Sequence, residues 1–124
     1  MPKFSKDTLP ATDHGPVSDA QAEVDGWSVN ITTFKVDIDA TPLMRGLPGD
    51  HCNCPHWGYV FKGRLTFRFP DHDEVLEAGD AFYVAAGHIP IAEAGTEYLQ
   101  FSPADELQRT SDAIQRNMAA MQGA

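Results

Sequence analysis

Short apolar alternations, broken by turn residues, constrain the fold of this chain more than any other feature of its sequence. Leu65, Phe67 and Phe69 alternate with polar neighbours, and the stretch 98–101 is a further strand candidate. A period of two is typical of strands that bury one face. The 124 residues include 10 glycines and 9 prolines, which suits frequent turns. The pattern predicts a single all-β domain, a sandwich or barrel of roughly seven to nine short strands.

Three segments are predicted along the chain: an N-terminal arm over residues 1–25, a β-barrel over 26–102 and a C-terminal helix over 103–124. The arm is rich in Pro, Asp, Ser and Thr and has no apolar period. At the other end, Ser102 as N-cap and Pro103 in the first turn indicate the start of a helix. Four apolar residues share one face of that helix: Leu107, Ile114, Met118 and Met121.

The charge balance excludes several classes of partner. Eighteen acidic residues against nine Lys and Arg give a net charge of −9, so binding to nucleic acid or to an anionic membrane surface is not expected. The first twenty residues contain no apolar run of secretory length, and no stretch reaches membrane-spanning length. We therefore expect a cytoplasmic protein.

Potential metal ligands are concentrated in the sequence HCNCPH. His51, Cys52, Cys54 and His56 lie within six residues, and the two cysteines are too close for an unstrained disulfide. On an extended chain Cys52, Cys54 and His56 would point to one side and His51 to the other. Because Pro55 favours a bend, His51 remains an alternative ligand.

A fourth donor must come from elsewhere in the chain. His88 is the best candidate because it follows Gly87 at the junction of a predicted strand and a loop. Thiolate and imidazole suit zinc best, and they also suit iron, nickel or copper. The sequence therefore predicts a divalent metal ion, with the ligands Cys52, Cys54, His56 and His88.

The stretches 51–63 and 79–90 together resemble the two motifs of the cupin superfamily, small jelly-roll β-barrels that usually hold one metal ion. Gly63 fits the glycine that closes the first motif. Counting back from it, His56 occupies the position of the family's glutamate ligand. The motif allows three or four residues between its second histidine and this glutamate position. With three, Cys52 occupies the second histidine position and Asp50 the first. With four, His51 occupies the second and Gly49 the first.

The second motif is matched at its glycines, and fifteen residues separate the two motifs, as in compact single-domain cupins. His88 lies two residues before the position of the usual histidine ligand, with the same parity. The remaining motif positions hold Ala85, Pro90 and Ala94. The sequence CPHWGYV resembles that of a branch of small bacterial cupins in which a thiolate-rich cluster replaces the usual ligands. The resemblance implies a cupin-like jelly-roll barrel, here followed by a C-terminal helix.

Several functions are compatible with this resemblance, since cupins include dioxygenases, isomerases, epimerases and decarboxylases as well as proteins that only bind a ligand. With three protein donors, an open coordination position would allow a metalloenzyme acting on a small organic acid or sugar-like substrate. A non-catalytic small-molecule-binding barrel would need an apolar cavity wall. Four donors would instead form a structural zinc site. The resemblance also implies a homodimer, formed through a sheet edge, the arm or the helix. The candidate wall residues are Phe61, Phe67, Phe82 and Phe101.

Overall fold

The computed structural model describes residues 3–122, which form ten strands, two 3₁₀ turns and one helix. The strands are β1 (Ala11–Asp13), β2 (Val17–Val24), β3 (Trp27–Phe34), β4 (Ile38–Asp39), β5 (His56–Lys62), β6 (Arg64–Arg68), β7 (Asp73–Glu77), β8 (Ala81–Val84), β9 (Ile89–Ala92) and β10 (Glu97–Pro103). The 3₁₀ turns, Thr41–Met44 and Pro48–Asp50, lie in the connection between β4 and β5, and the helix α1 spans Ala104–Gln122.

Two antiparallel sheets make up the barrel. One has six strands in the order β1-β2-β3-β10-β5-β8, and the other has four in the order β4-β9-β6-β7. Apolar side chains from both sheets fill the space between them. The predicted all-β jelly-roll with a C-terminal helix is therefore confirmed. The core consists of Phe34, Val60, Leu65, Phe67, Phe82, Val84, Ala92 and Tyr98.

Strand β6 shows how the sequence pattern forms the sheet. Leu65 and Phe67 are almost fully buried, whereas the arginines at both ends of the strand point outward. Arg64 pairs with Glu77 and Arg68 with Asp73 on the neighbouring strand β7. These exposed ion pairs add little free energy, so the burial of Leu65 and Phe67 is what fixes the register of this strand.

The structure differs from the sequence prediction near the N-terminus. Strand β2 pairs with β3 along its whole length, so residues 17–24 belong to the six-stranded sheet rather than to an arm that precedes it. The inner face of β2 is polar: the Asp19 carboxylate accepts hydrogen bonds from Asn30 and Thr32. Its outer face carries small side chains such as Ala20, against which Leu9 packs. The larger apolar residues of this strand, Val17 and Val24, stand only at its two ends.

The predicted C-terminal helix is confirmed. It begins at Ala104, one residue after the predicted start, since Ser102 and Pro103 are the last residues of β10 and the Ser102 hydroxyl contacts His56. Residues 123 and 124 of the predicted range lie outside the described residues. The buried side of the helix covers the connection between β4 and β5. Leu107 is buried and Ile114 and Met118 are partly buried, but Met121 is 58% exposed and lies beyond the packed part of the helix. Within residues 3–122, no helix combines the length and apolar character needed to cross a membrane.

Candidate metal centre

Three of the four predicted ligands come together inside the protein. One potential ligand atom from each of Cys52, His56 and His88 lies within 4.8 Å of the other two. Sγ of Cys52 is 3.7 Å from Nε2 of His56, and the centroids of the two imidazole rings are 5.1 Å apart. Sulfur and nitrogen ligands of one tetrahedral zinc ion are about 3.5 Å apart, so the spacing of Cys52 and His56 suits shared ligation.

Backbone hydrogen bonds hold Cys52 beside His88, although 35 residues separate them. The Cys52 N–H donates to the His88 carbonyl at 2.8 Å, and the His88 N–H donates to the Cys52 carbonyl at 3.2 Å. The Gly87 N–H donates to the same Cys52 carbonyl at 2.8 Å. Gly87 has a φ of +99°, a conformation that residues with a side chain rarely adopt. The two loops that carry the donors are thus tied together without any metal.

His56 is the first residue of β5, and its side chain points into the barrel. Its Nδ1 lies 2.7 Å from Oγ of Ser102 on β10. When the Ser102 oxygen accepts the Nδ1 proton, the lone pair of the neutral ring is on Nε2, the nitrogen that faces Cys52. This hydrogen bond therefore prepares His56 to bind a cation through Nε2.

His88 is prepared in the same way by a different partner. Its Nδ1 donates to the Ala85 carbonyl at 2.7 Å, and because a carbonyl can only accept, Nδ1 carries the proton. Phe67 packs edge-on against the ring, with centroids 5.0 Å apart. Nε2 of the neutral His88 ring is thus free to act as a ligand.

Burial keeps both imidazoles neutral and the thiol protonated. Desolvation lowers the pKa of His56 to about 3, assisted by the nearby His88, and desolvation lowers the pKa of His88 to about 4. Desolvation also raises the pKa of Cys52, while hydrogen bonds from the Thr110 side chain and the Cys54 backbone act in the opposite direction. A bound cation would favour the thiolate, because metal ligation releases the thiol proton.

Cys54 does not join this group of three donors. Its side chain is buried, and Sγ lies 3.5 Å from the Pro55 carbonyl and 3.9 Å from the Pro103 carbonyl. Desolvation raises the pKa of Cys54 to about 12. Because β5 begins only at His56, the alternation of an extended strand does not extend back to Cys54. Ligation by Cys54 stays a prediction.

His51, the alternative ligand, lies beside the group. Its ring packs over Gly49, where an added Cβ would come within 2.5 Å of the His51 Nε2. The His51 Nδ1 is buried and has no hydrogen-bond partner among residues 3–122. A bulkier residue at Gly49 would therefore displace this ring.

Two hydroxyl groups at the centre were not found from the sequence. Ser102 contacts His56 as described, and Oγ1 of Thr110 on α1 lies 3.4 Å from Sγ of Cys52. Thr110 follows Leu107 and precedes Ala113 by three residues each, so it shares their buried helix face. A threonine on the apolar face of a predicted helix is a sequence signal that could have pointed to a buried polar contact of Thr110.

The centre is enclosed. Cys52, His56 and His88 are between 1% and 4% exposed. Two clefts of about 440 and 490 Å³ both include Arg64 and Glu93 in their walls, and neither is lined by any of the three donors. Of the predicted cavity-wall residues, Phe67 and Phe82 do lie inside the barrel, whereas Phe61 and Phe101 are exposed on its outside.

Comparison with known proteins gives structural matches alone, since no protein-family model and no curated protein matches the sequence. An RmlC-like cupin from Shewanella frigidimarina is 17% identical with a TM-score of 0.58, over 82% of this chain and 89% of that chain. KdgF from Halomonas sp. is 19% identical with a TM-score of 0.55, over 81% and 91%. A sugar phosphate isomerase of the cupin superfamily from Silicibacter pomeroyi is 14% identical with a TM-score of 0.57, over 82% and 75%.

Proposed function

We propose that this chain, which has the cupin fold, binds one divalent metal ion, zinc by preference, through Sγ of Cys52 and Nε2 of His56 and His88. The observation that carries the proposal is the approach of three buried donor atoms to within 4.8 Å of one another. Each imidazole uses Nδ1 in a hydrogen bond and keeps Nε2 for a ligand. Neutral imidazole and thiolate are the donors that zinc prefers.

We further propose that the bound ion keeps one coordination position for a small organic acid or a sugar-like molecule. A divalent ion bound there would polarise a ligand carbonyl or carboxylate. His56, His88 and Cys52 would orient the ion, while Phe67 beside His88 would keep water away from the ligand. A sugar phosphate isomerase is among the structurally similar proteins, which supports this class of ligand.

A structural zinc site is the second candidate, and the burial of the donors favours it. Helix α1 covers the centre, with Thr110 in contact with Cys52. Cys54 is also buried and packs in the same apolar cluster as Cys52, so its thiol is the fourth donor that such a site would use. Four protein donors would leave no position for a ligand, and the ion would then serve to stabilise the fold.

Cobalt substitution separates the two candidates. We expect Co²⁺-loaded protein to show thiolate charge-transfer absorption, and the visible spectrum to change when azide or a small carboxylate is added. A spectrum that does not respond to added anions would contradict the open position and favour the structural site. A protein that takes up no Co²⁺ would contradict both. Cys52→Ser is the control that should remove the thiolate absorption.

Ligand class is tested separately with the zinc-loaded protein. Small carboxylic acids and sugar phosphates should raise the thermal midpoint of the loaded protein and not that of the metal-free protein. Equal stabilisation of both forms would place the ligand away from the metal and contradict this part of the proposal. Turnover of a stabilising compound would then distinguish an enzyme from a binding protein.

A further inference from the structure

The inner face of the six-stranded sheet carries a row of polar side chains, which we call the polar strip. Its members lie on the same side of the sheet as the core residues Phe34 and Tyr98. Such a face is usually apolar, as it is on β6 and β8, because an unsatisfied polar group is costly to bury. The members are Asp19 and Gln21 on β2, Ser28, Asn30 and Thr32 on β3, and Gln100 on β10.

Hydrogen bonds connect the polar strip from one strand to the next. The Gln21 amide donates to Oγ of Ser28 at 3.1 Å, and the Ser28 hydroxyl donates to Oδ1 of Asn30 at 2.8 Å. The Asn30 amide donates to the Asp19 carboxylate at 3.0 Å, and the Thr32 hydroxyl donates to it at 2.9 Å. These contacts fix the direction of the polar groups, yet they leave acceptor positions of the Asp19 carboxylate unused.

The polar strip extends from the surface to the candidate metal centre. Gln21 is exposed. Ser28 lies opposite Ser102, whose Oγ is the partner of His56. Ser102 and Gln100 are two residues apart on β10, a rise of about 7 Å, which is close to the length of a five- or six-carbon chain. A molecule of this length that binds the ion at one end would lay its other end on the strip.

Gln100 has hydrogen-bonding groups that the protein does not use. It lies opposite Asn30 and is 8% exposed, and its side-chain amide makes no hydrogen bond within residues 3–122. Buried amides normally have a partner, so an unpaired one on this face points to a ligand. The amide offers both a donor and an acceptor, and a ligand hydroxyl can use either.

The charges around the polar strip disfavour an anionic group on it. Burial raises the pKa of Asp19, although hydrogen bonds from Thr32 and Asn30 act in the opposite direction. No ion pair within residues 3–122 includes Asp19, and all nine Lys and Arg side chains are exposed. A second acidic group on a ligand would therefore meet an uncompensated carboxylate in surroundings that screen charge poorly.

We propose that the polar strip binds the uncharged, hydroxylated chain of a sugar acid whose single acidic group ligates the metal ion. The inference rests on the proposed function and narrows its ligand class to molecules that are both acids and sugar-like. Ligand hydroxyls would donate to Asp19 and would bond to the Gln100 amide. Asp19 then determines specificity, because the same carboxylate that accepts a hydroxyl proton repels a second acidic group.

Compounds that differ only at the far end of the chain test the proposal on the unchanged, zinc-loaded protein. Gluconate and glucarate share a six-carbon hydroxylated chain, and glucarate has a second carboxylate in place of the terminal alcohol. Galactonate and galactarate, and xylonate and xylarate, are further pairs. By isothermal titration calorimetry, we expect the tightest monoacid to bind about tenfold or more tightly than its diacid, because like charges repel at a buried site.

Asp19→Asn removes the charge and keeps the shape of the side chain. We expect it to reduce the preference for the monoacid to less than about threefold and to leave zinc affinity unchanged. Gln100→Leu should weaken monoacid binding by about tenfold, because the ligand hydroxyl loses its partner. Asp73→Asn is the matched control: Asp73 pairs with Arg68 outside the barrel, so the preference should stay as in the unchanged protein.

The outcomes separate this inference from the proposed metal site. Equal affinity for monoacids and diacids, or a preference that Asp19→Asn does not alter, would overturn the inference and leave the metal site intact. Zinc-loaded protein that binds none of the monoacids would also overturn it. A chain that retains no zinc would contradict the proposed function itself, and the role of the polar strip with it.

Discussion

The Nδ1 atom of His56 lies 2.7 Å from Oγ of Ser102, and both residues are buried. This contact joins β5 to β10 inside the barrel, and with the Ser102 oxygen as acceptor it leaves Nε2 free for a metal. We expect Ser102→Ala to weaken zinc affinity about 10- to 100-fold, as is usual when a hydrogen-bond partner of a ligand is removed. Competition titration against a chromogenic chelator measures the change.

Ser28→Ala is the matched control for that prediction. Ser28 is also buried, and its hydroxyl donates to Asn30 Oδ1 on the same strand. It makes no hydrogen bond with any of the three candidate metal ligands. Both variants should lose stability, on the order of 1–3 kcal/mol, because each leaves a buried polar partner unsatisfied. Equal losses of zinc affinity in the two variants would mean that Ser102 acts through stability and not through His56.

Gly87→Ala should disturb the backbone contact that holds Cys52 beside His88. Its φ of +99° is unfavourable for alanine, so we expect a loss of stability on the order of 1–3 kcal/mol. Zinc affinity should fall as well, because the Gly87 N–H bonds to the Cys52 carbonyl. Gly15→Ala, at a φ of +89° in the turn between β1 and β2, should cost similar stability and leave zinc affinity unchanged.

Acid should destabilise the metal-free protein in a range set by the two buried histidines. Their pKa values, about 3 for His56 and about 4 for His88, lie below the ordinary value of 6.5. As the pH falls below 6.5, the unfolded chain binds protons that the folded chain does not, so the free energy of unfolding decreases. We expect a loss of several kcal/mol between pH 6.5 and pH 4, measured by urea denaturation at each pH.

The double variant His56→Gln/His88→Gln should flatten this dependence above pH 4. His72→Gln should leave it nearly unchanged, because His72 is exposed and its pKa is raised, chiefly by its hydrogen bond with Asp71. An unaltered acid profile in the double variant would show that other groups control unfolding in this range.

The two cysteines should behave differently. Sγ of Cys52 is the one that faces His56, whereas Sγ of Cys54 faces the Pro55 and Pro103 carbonyls. We expect Cys52→Ser to lower zinc affinity by at least 100-fold, and Cys54→Ser by less than tenfold, on the basis that a thiolate ligand contributes several kcal/mol. Equal losses would favour the four-donor shell predicted from the sequence.

The sequence predicted the barrel and the terminal helix because their signals are local. Alternation in residues such as Leu65 and Phe67 reports a buried face directly, and the Leu107 face marks the helix. Strand β2 escaped notice because its inner residue Asp19 is polar and its outer residue Ala20 is small. Its place in the sheet depends on pairing with β3, which no short-range pattern in the sequence reveals.

The candidate centre was predictable only in part for a related reason. Residue types and the cupin-like spacing pointed to Cys52, His56 and His88, which the structure brings together. Side-chain direction within the loop before β5 was not predictable, because strand alternation does not apply there, and Cys54 lies outside the group of three donors. The contact of Ser102 with His56 depends on the pairing of β5 with β10, which no local signal specifies.

X-ray absorption at the zinc edge identifies the atoms that bind the ion. For protein loaded with one equivalent of zinc, we expect one sulfur ligand at about 2.3 Å and two imidazole nitrogens at about 2.0–2.1 Å, completed by one oxygen ligand. The sulfur contribution should disappear in Cys52→Ser. A wild-type spectrum without sulfur, or a protein that fails to retain zinc, would contradict the claim that Cys52, His56 and His88 form one metal site.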